Sequence, residues 1–98
     1  MIGISILTLN KMYKIKLRKD VERILKKLVK KDKISSIYIS KKIKQIQENP
    51  YHFKSLKRPL QNFWRVHIGN YVLVYSIDEE NKTIIIEKYK HHDEVYKS

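Results

Sequence analysis

The stretch Leu56–Ile77, LKRPLQNFWRVHIGNYVLVYSI, constrains the fold of this chain more than any other. Two apolar runs, Asn62–Ile68 and Tyr71–Ile77, are separated only by Gly69-Asn70. Such a spacing predicts a tight hairpin, because Gly and Asn tolerate the positive φ that primed turns require. Side chains alternate along a strand, so Trp64, Val66 and Ile68 share one face while Phe63, Arg65 and His67 share the other. Arg65 and His67 then project side by side, about 7 Å apart at the backbone. A guanidinium there can hold a phosphate while the imidazole moves a proton. The plainer alternative is the solvated side of a half-buried strand, where Arg and His are common. The second run, Tyr71–Ile77, is apolar on both faces and belongs inside a sheet.

The rest of the chain supplies what this hairpin must pack against. Tyr13–Leu17 reads as a short strand with Tyr13, Ile15 and Leu17 on one face. The period then changes to that of a helix: Val21, Ile24, Leu25 and Leu28 follow the i, i+3, i+4, i+7 rule over about Lys19–Lys31. Asp20 and Glu22 in the first turn, and Lys30-Lys31 in the last, suit the helix dipole. Asp32-Lys33 marks a break. Ile34–Glu48 reads as a second helix with Ile39, Ile43 and Ile46 inward, closed by Asn49-Pro50 because a residue before proline avoids the α region. Ser35, Ser36 and Ser40 are small enough for the two helices to approach closely. So short a link predicts an antiparallel helical hairpin. Tyr51–Gln61 reads as a basic irregular connection carrying His52, Lys54, Lys57 and Arg58. A polar loop at Asp78–Lys82 leads to a last strand, Thr83–Tyr89, and a tail from Lys90 to Tyr96.

The expected fold is therefore α+β in the order β-α-α-β-β-β, with the helical hairpin packed on one face of a small, mainly antiparallel sheet. Residues 12–98 read as one domain, and residues 1–11 as a flexible extension or the result of an alternative start at Met12. The apolar segment Met1–Asn10 lacks a basic leader region and is too short to span a bilayer. No cysteine is present, which excludes disulfides, thiolate metal sites and cysteine nucleophiles and fits a cytoplasmic protein. The 22 basic residues against 10 acidic ones leave a formal charge of +12, which favours a polyanionic partner. Carboxylate and histidine spacing predicts no metal site.

Taken together, Leu56-Lys57, Pro59-Leu60, Trp64-Arg65, Gly69, Tyr71 and Tyr75-x-Ile77-Asp78, followed by His-x-x-Glu-Val-Tyr at His91 to Tyr96, resemble the RelE toxins of the RelE/ParE toxin–antitoxin superfamily. The resemblance covers about Tyr13 to Tyr96 and includes the element order. It implies a metal-free, cofactor-free endoribonuclease that cleaves mRNA in the ribosomal A site, arrests translation and is neutralised by a RelB-like antitoxin in a hetero-oligomer. Such chemistry needs a base for the ribose 2′-OH, cations for the phosphorane and an acid for the leaving 5′ oxygen. By that resemblance Arg65 takes the phosphate and His67 a proton. His91 or His92 takes the complementary acid or base role, and Tyr96 stacks on a base or donates a proton. Lys54, Lys57, Arg58, Lys88 and Lys90 are the expected RNA-binding cations. Many RelE toxins carry arginine after the tyrosine that opens the third strand; here Val72 stands there, with Lys88, Lys90 or Arg58 as substitutes. The competing expectations are a ParE-like DNA gyrase inhibitor without nuclease chemistry and a basic RNA-binding module.

Overall fold

The computed structural model describes residues 12–56 and 62–92. The extension at 1–11, Lys57, Arg58 and Tyr96 therefore lie outside the described residues. The chain runs through β1 (Lys14–Leu17), α1 (Lys19–Lys31), α2 (Lys33–Glu48), β2 (Lys54–Ser55), β3 (Phe63–Ile68), β4 (Tyr71–Asp78) and β5 (Thr83–His91). One strand was not foreseen. Lys54–Ser55 adds an edge to the sheet because its backbone pairs with Trp64 and Arg65, partners that local pattern does not reveal.

The five strands lie in the order β1-β5-β4-β3-β2. β1 runs parallel to β5, and the other neighbouring pairs are antiparallel. The doubly apolar β4 thus occupies the middle of the sheet, as its composition demands. The hairpin turn has Gly69 at φ +62°, while Asn70 keeps a negative φ, the pattern of a turn that needs glycine only at its first central position.

Helix α1 buries Val21 completely and packs Leu25 and Leu28 against the core. Ile24, expected inward, is instead 40% exposed. It stands at the border of the apolar stripe and opens onto a groove described below. Asp32 serves both helices. Its N–H donates to the Leu28 carbonyl at 2.8 Å, ending α1, while its carboxylate accepts from Ser35 N at 3.0 Å, starting α2. That is the N-cap function that Asp performs well. Ser35 and Ser36 spend their hydroxyls on this junction, donating to Asp32 and to the Lys33 carbonyl. Ser40 is exposed.

The core lies between the helices and one sheet face. Ile39 and Ile46 of α2 meet Val66, Ile68, Leu73, Tyr75, Ile84, Ile86 and Tyr89, all buried. Trp64, expected inward, is half-buried there and stacks on Tyr75 with ring centroids 6.2 Å apart. Tyr75 is fully buried, yet its hydroxyl is satisfied by donating to the Pro50 carbonyl at 2.6 Å. The opposite face of the sheet carries the candidate site.

Candidate functional site on the open sheet face

Alternation assigns Arg65 and His67 to the face turned away from the helices. The register shows what surrounds them. Across from Arg65 lie Lys54 on β2 and Val74 on β4, and Val74 in turn faces Lys88 on β5. Across from His67 lies Val72, which faces Lys90. The arrangement is a trough: cations from β2 and β3 along one side, cations from β5 along the other, and valines along the floor. Val72 and Val74 are 0% and 4% exposed although neither belongs to the core cluster under the helices. Long cationic side chains shield apolar surface while keeping their charged ends in water, which is how basic stems can line such a floor.

The two adjacent histidines separate. His92 comes to His67, ring centroid to ring centroid 5.6 Å, and its N–H donates to the Asn70 carbonyl at 2.9 Å. His91 falls on the other side with the stacked pair Tyr71 and Tyr89, its ring meeting Tyr71 edge-on at 5.5 Å. The histidine brought to Arg65 and His67 is thus His92. Strand β5 also runs on through Lys90 and His91, where the sequence suggested a tail after Tyr89. Pairing of Tyr71 with His91 and of Val72 with Lys90 continues the ladder that far.

Electrostatics follow from this crowding of positive groups. His67 is held below the ordinary histidine pKa, first by desolvation and then by the charges of Arg65, His92 and Lys54. A neutral imidazole at neutral pH is suited to accept a proton. The Nε of Arg65 is shielded from solvent, so the guanidinium stem is packed rather than loose. Among the described residues, no three His, Asp or Glu side chains are grouped to hold a metal ion. His52 is exposed, with its ring edge-on to Phe53 at 5.2 Å.

One residue at the end of the trough went unremarked in the sequence. Glu87 accepts from Ser76 Oγ at 2.6 Å and from Arg18 Nε at 2.9 Å. Desolvation pushes its pKa up, but the Arg18 and Ser76 hydrogen bonds and the Arg18 charge prevail and hold it below the usual value. The signal was present: the buried apolar positions of β5 are Ile84, Ile86 and Tyr89, and the last step of three breaks a period of two.

Known proteins share this arrangement of elements. A family model described as the ParE toxin of the type II toxin–antitoxin system parDE matches residues 13–96. A Methanocaldococcus jannaschii protein named "Putative toxin RelE4" is 46% identical over 87 residues, spanning 88% of this chain and 93% of that one. The toxin–antitoxin complex RelBE2 from Mycobacterium tuberculosis contains a chain that superposes with a TM-score of 0.68 at 26% identity, over 83% of this chain and 92% of that one. The archaeal RelE–RelB complex from Pyrococcus horikoshii gives a TM-score of 0.64 at 23% identity, over 82% and 94% of the two chains, and bears on the fold. With a family match over nearly the whole described fold and a relative of such identity and coverage, the chain belongs to the RelE/ParE superfamily of type II toxin–antitoxin toxins.

Proposed function

We propose that this toxin is a ribosome-dependent endoribonuclease that cleaves mRNA in the A site without a metal or other cofactor. The observation that carries the reading is the meeting of Arg65, His67 and His92 on one cationic sheet face. Arg65 stabilises the negative charge that develops on the phosphorane. His67, kept neutral, takes the proton of the ribose 2′-OH, and its attack on phosphorus expels the 5′ oxygen, which receives a proton from His92. The products are a 2′,3′-cyclic phosphate and a free 5′-hydroxyl, so atoms and charge balance without a co-reactant. Lys54, Lys88 and Lys90 hold the neighbouring phosphates, and Lys90, opposite Val72, supplies the cation that many relatives place at the valine position.

The same reading includes an antitoxin partner and a cytoplasmic site of action. An open groove of about 690 Å³ lies between the helical hairpin and the β3–β4 turn. Ile24, Leu28, Tyr38 and Tyr71 supply apolar surface, Lys27 and Lys42 supply charge, and His67 stands at its border. An acidic amphipathic segment fits that chemistry, and one folding onto it would reach the trough. Among the described residues no helix is long and apolar enough to cross a membrane.

Expression without the antitoxin tests the reading. Early arrest of protein synthesis in pulse labelling, with A-site cleavage of mRNA that Arg65→Ala abolishes, is the expected result. Early loss of DNA synthesis with altered supercoiling would instead assign the protein to gyrase inhibition.

A further inference from the structure

Strand β5 contains one residue more than its ladder with β4 requires. From Tyr71 to Val74 the partners are His91, Lys90, Tyr89 and Lys88; from Tyr75 to Asp78 they are Ile86, Ile85, Ile84 and Thr83. Glu87 has no partner, and the register shifts at that point. This is a β-bulge, a device that bends a strand, increases its twist and re-aims the side chains beyond it.

The bulge is pinned on both sides. Ser76 on β4 and Arg18 at the end of β1 both donate to the Glu87 carboxylate, and the Arg18 N–H also donates to the Ile86 carbonyl at 3.2 Å. Before the bulge, β5 is fastened between β1 and β4, with Ile84 and Ile86 fully buried. Beyond it, Lys88, Lys90 and His92 project into the trough. Setting Glu87 aside puts Lys88 opposite Val74, and so turns Lys88, Lys90 and His92 to the face of Arg65 and His67.

We propose that Glu87 is a positioning residue: the pinned bulge sets the phase that turns Lys88, Lys90 and His92 to the Arg65–His67 face. The catalytic importance of this placement rests on the nuclease reading above; the placement itself does not. Being held by Ser76 and Arg18, Glu87 acts through its neighbours and not on a substrate.

The register makes a clean experiment available. Deleting Glu87 leaves every cross-strand pair intact, because Lys88 then follows Ile86 and still meets Val74. The probe is the imidazole of His67, titrated by NMR in the whole chain. It faces Arg65, Lys54 and His92, whose charges lower its pKa. In the wild type, His92→Ala raises the His67 midpoint. In the Glu87 deletion Lys88, Lys90 and His92 keep their partners and so their face, and His92→Ala is expected to raise it as well. In Glu87→Ala, which unpins the bulge at unchanged length, His92→Ala is expected to leave it unchanged. An equal upward shift in the wild type and in Glu87→Ala, or its loss in the deletion, would overturn the proposal. Losing a carboxylate by itself would lower the midpoint in either background, so direct electrostatics does not imitate the result. Should the deletion fail to fold, the comparison of the wild type with Glu87→Ala decides by itself. These titrations need no ribosome, so a protein inactive on mRNA still decides the question.

Discussion

His67 and His92 face each other with ring centroids 5.6 Å apart, although β4 lies between the strand of His67 and the strand that His92 follows, and the two are 25 positions apart in the chain. The pKa of His67 is pushed down, by desolvation first and by Arg65, His92 and Lys54 after it. A lowered pKa keeps His67 in the neutral form that can accept a proton.

The acid limb of the pH–rate profile for mRNA cleavage should accordingly have its midpoint below the ordinary histidine value of about 6.5. His92→Ala should move that midpoint up and lower the rate; His67→Ala should remove the limb. Stability follows with a defined sign. The folded state binds the His67 proton less readily than the unfolded chain, so this contribution is present above about pH 6.5 and is lost as pH falls through the folded value. Urea midpoints of wild type and His67→Gln between pH 7 and pH 5 should show the smaller fall in the variant.

Removing a single preorganised cation from a developing oxyanion usually costs about 2–4 kcal/mol of barrier. Arg65→Ala should lower single-turnover cleavage of A-site mRNA by that amount while changing ribosome binding far less, because many lysines share the binding. Lys90→Ala should also lose rate, in keeping with its place opposite Val72. Val72→Arg is not a simple restoration of a relative's cation. Val72 lies on the right face but is fully buried, so the larger, charged side chain must displace its neighbours. A lower unfolding midpoint for Val72→Arg, measured beside its cleavage rate, checks this.

Affinity for an acidic antitoxin should fall as salt rises. The formal charge of +12 is screened over roughly 8 Å at physiological ionic strength, so charge neutralisation weakens while burial in the groove persists. Titration calorimetry at low and high salt measures the slope, and an affinity that does not change would assign the binding to burial alone.

The buried hydroxyl of Tyr75 offers a test of the scaffold independent of function. Tyr75→Phe leaves the Pro50 carbonyl without its 2.6 Å donor in a buried setting and should cost about 1–3 kcal/mol, read from denaturant unfolding.

At the far end of the sheet Glu79 accepts hydrogen bonds from Tyr13, at 2.9 Å, and from Tyr51 and Lys82. The hydrogen bonds of Lys82 and Tyr51 hold its carboxyl down at about 2. Its contribution is therefore present above the unfolded carboxylate range and is lost as pH falls toward 2. Glu79→Gln should be less thermally stable than the wild type at pH 7, and the two melting temperatures should converge near pH 2.

Period and punctuation in the sequence determined much of this molecule. Val21, Leu25 and Leu28 set one face of α1, Asp32 and Asn49-Pro50 bounded α2, and Gly69-Asn70 closed the β3–β4 hairpin, all through interactions within a few residues. Alternation alone placed Arg65 beside His67 and kept Trp64 on the core side. What the sequence left open depended on partners far along the chain. Lys54–Ser55 became a strand only because Trp64 and Arg65 offered a free edge. The choice between His91 and His92 turned on the residue that β5 sets aside at Glu87, since strict alternation from Ile84 and Ile86 would have sent His92 toward the helices. Glu79 met Tyr13 and Tyr51 across 66 and 28 positions. Local periodicity states which face a side chain takes along an unbroken strand; where the strand breaks phase, or what stands opposite it, is decided by cross-strand hydrogen bonds that exist only once the sheet has formed.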